Sequence, residues 1–274
     1  MTPLAMISPV ILELGPLSLR WYGVLTALGA LAAYLLVSRR LAGTAVKESK
    51  LGDIAIIAIL SAIVGARLFY VIRFWNTDFA HRPLSAALKV WEGGLVFQGG
   101  FIVAALALIA YALWQHIPVG QLGDLLAPAI PLGHAIGRIG CLINGCCFGF
   151  LPYDGPCAVH YPFTPFGVFP AQAVEAAGNL LLCLLLLLAE RRHLATGRRF
   201  LLYLIGYTIL RCAVEPLRGD YPADQVWAGM TPGQYHALWQ LPLIVAIFAA
   251  ITLISRKRQR HHQQDSHVGR ANSR

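Results

Sequence analysis

Apolar positions in this chain come in long unbroken runs. They follow neither the alternation of a half-buried strand nor the three-four spacing of a soluble amphipathic helix. A helix needs about 20 mostly apolar residues to cross the hydrocarbon core of a bilayer. Runs of this kind are Leu19–Val37, Ile54–Ile72, Leu95–Trp114, Leu122–Ile136, Ala171–Ala189, Phe200–Val214 and Ala237–Ser255. The fourth is the weakest, because it contains Asp124, Pro128, Pro131 and Gly133. Such residues are tolerated at membrane depth where neighbouring helices or a cavity satisfy the backbone, so this run reads as an inner helix. The pattern predicts an all-α, polytopic integral membrane protein with about seven transmembrane helices. Continuous runs argue against a β-barrel. The longest connections are Arg73–Gly94, Arg138–Pro170 and Pro216–His236, and there is no internal repeat. Residues 1–255 form a single transmembrane domain, and residues 256–274 form a basic tail expected to be disordered. Met1–Pro16 has no basic residue ahead of its apolar stretch, unlike a cleaved signal peptide.

Composition narrows the class further. Of 274 residues only 13% are charged and 57% are hydrophobic, and the mean hydropathy is +0.61. A soluble domain carries about 25% charged residues. An ordinary soluble enzyme, a disordered chain and a nucleic-acid binder with its charge on a folded face are therefore excluded. The formal net charge of +9 must be read by position. Arg39, Arg40, Lys47 and Lys50 follow the first run, and Arg191, Arg192, Arg198 and Arg199 follow the fifth. Arg256, Lys257, Arg258, Arg260, Arg270 and Arg274 lie in the tail. Seven spans put all of them on one side, which the positive-inside rule makes cytoplasmic. The N-terminus is then expected outside and the C-terminus inside.

Eight basic residues remain: Arg20, Arg67, Arg73, Arg82, Lys89, Arg138, Arg211 and Arg218. Arg67 lies within the second run and Arg211 within the sixth. Arg138 sits just past the fourth and Arg20 at the start of the first. An arginine at membrane depth costs roughly 2.5–3.5 kcal/mol on insertion scales, so it is kept where it pairs, faces a cavity or binds something. Glu215, one helical turn after Arg211, is a natural partner. Guanidinium groups bind phosphate bidentately, and the phosphate available at that depth belongs to a phospholipid headgroup.

The segment after the fourth run reads GRIGCLINGCCFG, Gly137–Gly149. Its four glycines argue against a regular helix and for backbone that passes close to something. Together with Arg20-Trp21-Tyr22-Gly23, Gly65-Ala66-Arg67-Leu68, Gly93–Gly100 (GGLVFQGG), Pro170–Glu175 (PAQAVE) and Gly206–Arg218 (GYTILRCAVEPLR), it resembles the signature set of the bacterial prolipoprotein diacylglyceryl transferases. The resemblance runs from about Leu19 to Arg218.

The resemblance implies a defined reaction and a defined site. The diacylglyceryl group of phosphatidylglycerol moves to the lipobox cysteine thiol of a preprolipoprotein signal peptide, giving a thioether and glycerol phosphate. Residues 1–255 would be the catalytic domain, in the bacterial cytoplasmic (inner) membrane as a multi-pass protein. The partners would be phosphatidylglycerol, preprolipoprotein signal peptides and membrane lipid, with no cofactor, metal or nucleic acid. Arg138 and Arg211 would hold the phosphate, Glu215 would orient Arg211, and Asn144 and Gly149 would shape the headgroup pocket. Tyr22 and Tyr207 would line it, and Arg67 would contribute to lipid binding. Gln98 stands where many family members have a histidine. The catalytic set implied is thus Arg138, Arg211, Glu215, Tyr22 and Gln98.

Departures from the family pattern leave alternatives open. Glutamine can donate and accept hydrogen bonds but cannot take a proton at neutral pH. Glu215, Tyr22, Tyr207 or His134 could assist with the thiol proton. Cys141 and Cys146 occupy positions where asparagine and glutamate are common, and Phe169 and Val174 positions where histidine and tyrosine are frequent. A related transferase with another lipid or acceptor is one alternative. A non-enzymatic lipid-binding or transport protein is the other, although the two related halves common in transporters are missing.

Cys141, Cys146, Cys147 and Cys157 cluster in one stretch with His160 behind them. A disulfide from Cys157 to Cys146 or Cys147 is one expectation on an oxidising outer face, beside small apolar packing and a free thiol serving catalysis. The spacing C-x4-C-C-x9-C-x2-H fits zinc poorly. Cys183 and Cys212 read as packing residues. Trp21, Trp75, Trp91, Trp114, Trp227 and Trp239 lie near run ends, where interfacial anchoring is expected.

Overall fold

The structure is a computed structural model that describes residues 8–14, 17–90, 93–191, 196–219 and parts of 230–246. The tail, Trp91, Trp227, Trp239 and most of the expected seventh span, Ala237–Ser255, lie outside the described residues. Among the described residues, six helical stretches are long and apolar enough to cross a membrane: Trp21–Ser38, Glu48–Arg73, Phe97–Trp114, Val119–Asn144, Ala171–Leu188 and Arg198–Leu217. The chain is a mostly helical, multi-pass membrane protein. It divides into two compact units, residues 38–122 and residues 1–37 with 123–274.

The unit of residues 38–122 is built on α2 (Leu51–Arg73) packed against α3 (Phe97–Trp114). Small residues let the two backbones touch, the usual solution where lipid removes any hydrophobic drive between helices. A Cβ on Gly100 would sit 2.8 Å from the Ala62 carbonyl oxygen, and one on Gly99 would collide with Phe69. Arg67 is buried and donates to four backbone carbonyls. These are Ala86 at 2.7 Å, Ala87 at 2.8 Å, Gly93 at 2.6 Å and Gly94 at 3.2 Å. Its guanidinium thereby ties down the connection between α2 and α3. In the same connection the Tyr70 hydroxyl donates to Asp78 at 2.6 Å. That bond, then one from Thr77, holds the Asp78 carboxyl below its ordinary range.

The other unit opens with an antiparallel hairpin, β1 (Val10–Leu14) and β2 (Leu17–Arg20), before α1 (Trp21–Ser38). The expected first span therefore starts too early, because Leu17-Ser18-Leu19-Arg20 alternates apolar and polar and pairs as a strand. The hairpin also adds a small β element to the all-α expectation. The fourth run is broken into α4 (Val119–Leu126) and α5 (Ala129–Asn144) around Pro128. Pro131 falls in the first turn of α5, where an amide proton would have no helical partner. Asp124 is explained by its position at the start of α7 (Arg198–Val214). Its carboxylate accepts from the amides of Gly197 at 2.7 Å and Phe200 at 2.9 Å. A negative charge is favourable at a helix N-terminus.

The glycine-rich segment is helical up to Asn144, contrary to the expectation of an irregular loop. Within it, Gly140 serves helix contact. A Cβ at Gly140 would press on Tyr22 Cα at 3.3 Å and Leu25 Cβ at 3.4 Å. One turn pair earlier, Gly133 faces the Gly29 carbonyl at 3.1 Å in the same sense. The helix ends at Gly145, whose φ of 72° gives the left-handed cap that glycine adopts without strain. From there residues 145–170 lead to α6 (Ala171–Leu188). Short antiparallel pairings join Gly149 to Arg218 and Val159 to Val168. α6 packs on α5 and α7, with Leu182, Leu186 and Tyr203 in the buried core.

Candidate functional site

α5, α6 and α7 each contribute an ionised side chain to one buried cluster. On α5, His134 and Arg138 are one turn apart and share a face. Glu175 lies in the second turn of α6, and its side chain is 2% exposed. Arg211 occupies the last turn of α7, and Glu215, which is fully buried, opens the short turn Glu215–Leu217 that follows. Arg138 Nη2 lies 2.9 Å from Glu175 Oε1, and Arg211 Nη1 lies 3.4 Å from Glu175 Oε2. Arg211 Nη2 also pairs with Glu215 Oε2 at 2.6 Å. Two guanidiniums therefore converge on the two oxygens of one carboxylate.

Supporting contacts fix this arrangement. Arg138 Nε donates to His134 Nε2 at 3.2 Å. The same ring nitrogen lies 3.6 Å from Glu175 Oε1. The His134 ring packs on Tyr207 with centroids 5.4 Å apart, and Tyr207 stacks on Tyr203 at 6.0 Å. Glu215 Oε1 accepts from the backbone amide of Gly233 at 3.1 Å. On α6, Gln172 Nε2 donates to the Cys146 carbonyl at 2.8 Å and Asn179 Nδ2 to the Glu175 carbonyl at 2.8 Å. Gln172, Glu175 and Asn179 make a buried polar stripe on an otherwise apolar helix.

Of the residues singled out from sequence, Arg138, Arg211, Glu215 and Tyr207 are brought together here. Asn144 is the last residue of α5, and Gly149 is walled in nearby. A Cβ on Gly149 would lie 2.6 Å from the Phe169 carbonyl and 2.7 Å from that of Leu217. Tyr22 lies in the first turn of α1, is 44% exposed and packs over Gly140. Arg67 and Gln98 belong to the other unit. Arg67 is occupied by the carbonyls of its own connection, and Gln98 is an exposed residue in the first turn of α3.

Glu175 is the principal residue that sequence reasoning passed over. The available signal was a lone carboxylate inside the fifth apolar run, as unusual at that depth as the arginines. The expected disulfide is corrected: all six cysteines are free thiols and Cys157 is exposed. Cys141, Cys146 and Cys147 instead form a group whose sulfurs lie within 4.8 Å of one another. Beside them the Tyr161 hydroxyl donates to the Leu142 carbonyl at 2.7 Å. Burial pushes the Tyr161 phenol up to about 12.

Chemically, the arginine pair is in charge balance with its own carboxylates. Glu175 and Glu215 offset the two positive charges, and both guanidiniums are held in place before any ligand arrives. A phosphate entering the cluster competes with Glu175 for donors already converging on one point, which is the preorganisation that stabilises developing charge.

The chain is similar in sequence to known proteins over most of its length. A family model described as prolipoprotein diacylglyceryl transferase matches residues 9–262. A phosphatidylglycerol–prolipoprotein diacylglyceryl transferase of Parasynechococcus marenigrum is 35% identical over 227 residues, covering 77% of this chain and 80% of that protein. The protein of the same name from Synechococcus elongatus is 37% identical over 226 residues, 77% of each chain. That of Rhodospirillum rubrum is 33% identical over 253 residues, covering 89% of this chain and 91% of its own length. The arginines that converge on Glu175 thus lie inside a match covering nearly the whole sequence, and this chain belongs to the prolipoprotein diacylglyceryl transferase family.

Proposed function

We propose that this protein transfers the diacylglyceryl group of phosphatidylglycerol to the lipobox cysteine of preprolipoprotein signal peptides. The observation that carries this reading is the convergence of Arg138 and Arg211 on Glu175 at the ends of membrane helices. In the reaction the bond between a glycerol carbon and a phosphate oxygen breaks, and the acceptor sulfur forms a thioether with that carbon. Glycerol phosphate leaves with the electron pair, and the thiol gives up its proton, since thiolate is the nucleophile.

Each residue has a part that its position supports. Arg138 and Arg211 grip the phosphate and stabilise the charge growing on the departing oxygens. Glu215 keeps Arg211 aimed, and Glu175 holds both guanidiniums together until lipid displaces it. Asn144, Tyr22 and Tyr207 line the headgroup pocket. Gly149 keeps the following strand-like pairing close. Gln98, assigned from the resemblance, offers an amide that hydrogen-bonds without accepting the thiol proton. Arg67 supports its own connection. The charge pattern supports seven spans in the bacterial inner membrane, with the N-terminus outside and the C-terminus inside.

Expression in cells depleted of their own transferase tests the reading, with lipidation of a reporter lipoprotein as the score. Rescue is expected, with labelled phosphatidylglycerol giving glycerol phosphate and a diacylglyceryl thioether. A membrane-inserted protein that restores no lipidation overturns it.

A further inference from the structure

We propose that Cys141, Cys146 and Cys147 form a three-thiolate binding site for a thiophilic d10 cation, zinc(II) or copper(I). Their sulfurs lie within 4.8 Å of one another at the C-terminal end of α5. Zinc–sulfur bonds of about 2.3 Å place tetrahedral ligands about 3.8 Å apart, so the thiols need to close by only about an ångström. Three ligands from one short segment also leave a fourth position open, as in sites where zinc takes an exogenous ligand.

The linear spacing C-x4-C-C argues against metal because paired C-x2-C is the common arrangement. Local backbone geometry removes that objection. Gly145 takes φ 72° and Cys147 takes φ 60°, so two left-handed residues within three positions turn the chain back on the helix end. Left-handed backbone is unusual for a residue with a side chain. Here it returns Cys146 and Cys147 to Cys141, and the Cys146 thiol comes within 3.8 Å of the Cys141 carbonyl oxygen. The turn is further held by Gln172, which donates to the Cys146 carbonyl.

Ligand type and charge narrow the cation. The group contains only sulfur donors, which select soft ions and disfavour magnesium or calcium. Three thiolates around a divalent ion leave a net negative charge. Arg218, whose positive charge also acts on Cys147, offsets part of it. Neither Cys183 nor Cys212 belongs to the group.

Cadmium(II) titration of the full-length protein, purified in detergent under reducing conditions, tests the site through thiolate-to-cadmium charge-transfer absorption. The expected result is uptake of one cadmium per chain by the wild type, unchanged in C157S and C212S and lost in C141S and C147S. Elemental analysis of the protein as purified distinguishes zinc from copper as the ion that fills the site. Failure of the wild type to take up cadmium overturns the proposal without reference to any variant. So does undiminished uptake in the C141S/C147S double variant. Peptide mapping that finds two of the three cysteines joined in a disulfide in the protein as purified also overturns it.

Discussion

Arg138 Nη2 lies 2.9 Å from Glu175 Oε1, within a cluster where Glu175 is 2% and Arg138 13% exposed. The other oxygen of that carboxylate faces Arg211. One anionic side chain thus sets the separation and aim of two cations from different helices. On the proposed reading, it holds the two guanidiniums where a phosphate would displace it.

Replacing Glu175 with Gln keeps the shape and removes the charge. Breaking a buried ion pair by removing one partner costs roughly 3–5 kcal/mol, because the remaining charge is left uncompensated. E175Q should therefore unfold at lower temperature than wild type and transfer lipid poorly, with E175D intermediate. Thermal unfolding in detergent and a labelled-lipid transfer assay measure both effects. Wild-type stability in E175Q would contradict the shared-carboxylate description.

Alanine at Arg138 or Arg211 should lower kcat about 10²–10³-fold, the usual loss for one preorganised donor. Lysine at either position retains the charge but not the planar fork that can face two oxygens at once. R138K and R211K should fall between wild type and alanine. Full lipidation of a reporter by both alanine variants would remove the phosphate clamp from the mechanism.

Gly233 offers a steric test of where Glu215 sits. Its amide donates to Glu215 Oε1, and a Cβ there would collide with the Glu215 carboxylate. G233A should push Glu215 away from Arg211 and reduce kcat, while the protein still reaches the membrane in normal amount. Activity equal to wild type would show that Glu215 tolerates the displacement.

Tyr161 gives a pH-dependent signature. Burial raises its phenol from 10.0 to about 12 in the folded protein. The neutral form is the one favoured by folding, so its contribution is fully present below about pH 10. It is lost as pH rises toward the folded value, because the unfolded chain ionises first. A difference titration of tyrosinate absorbance, wild type against Y161F, should show one phenol titrating near 12. A phenol titrating at its ordinary value would contradict the buried hydroxyl bonded to Leu142.

Much of this molecule is legible in one dimension. Five of the apolar runs predict α1, α2, α3, α6 and α7 within a few residues, because a bilayer imposes a minimum length on any span. Arginines and Glu215 stand out because a charge at that depth is costly unless it is used. The hairpin at Val10–Arg20 is less visible, since four alternating residues merge with the run that follows. The helicity of Gly137–Asn144 is hidden because glycine's flexibility looks the same whether it serves a loop or a helix contact.

The sequence by itself determined the membrane class, most helix positions among the described residues and the candidates Arg138, Arg211 and Glu215, since composition and hydropathy act locally along the chain. Tertiary structure alone decided that Glu175 joins both arginines and that Arg67 is held by its own connection. It also gathered Cys141, Cys146 and Cys147 at the end of one helix. Which side chains meet depends on how helices far apart in sequence pack, and on where a left-handed residue turns the chain. Spacing along the sequence carries neither.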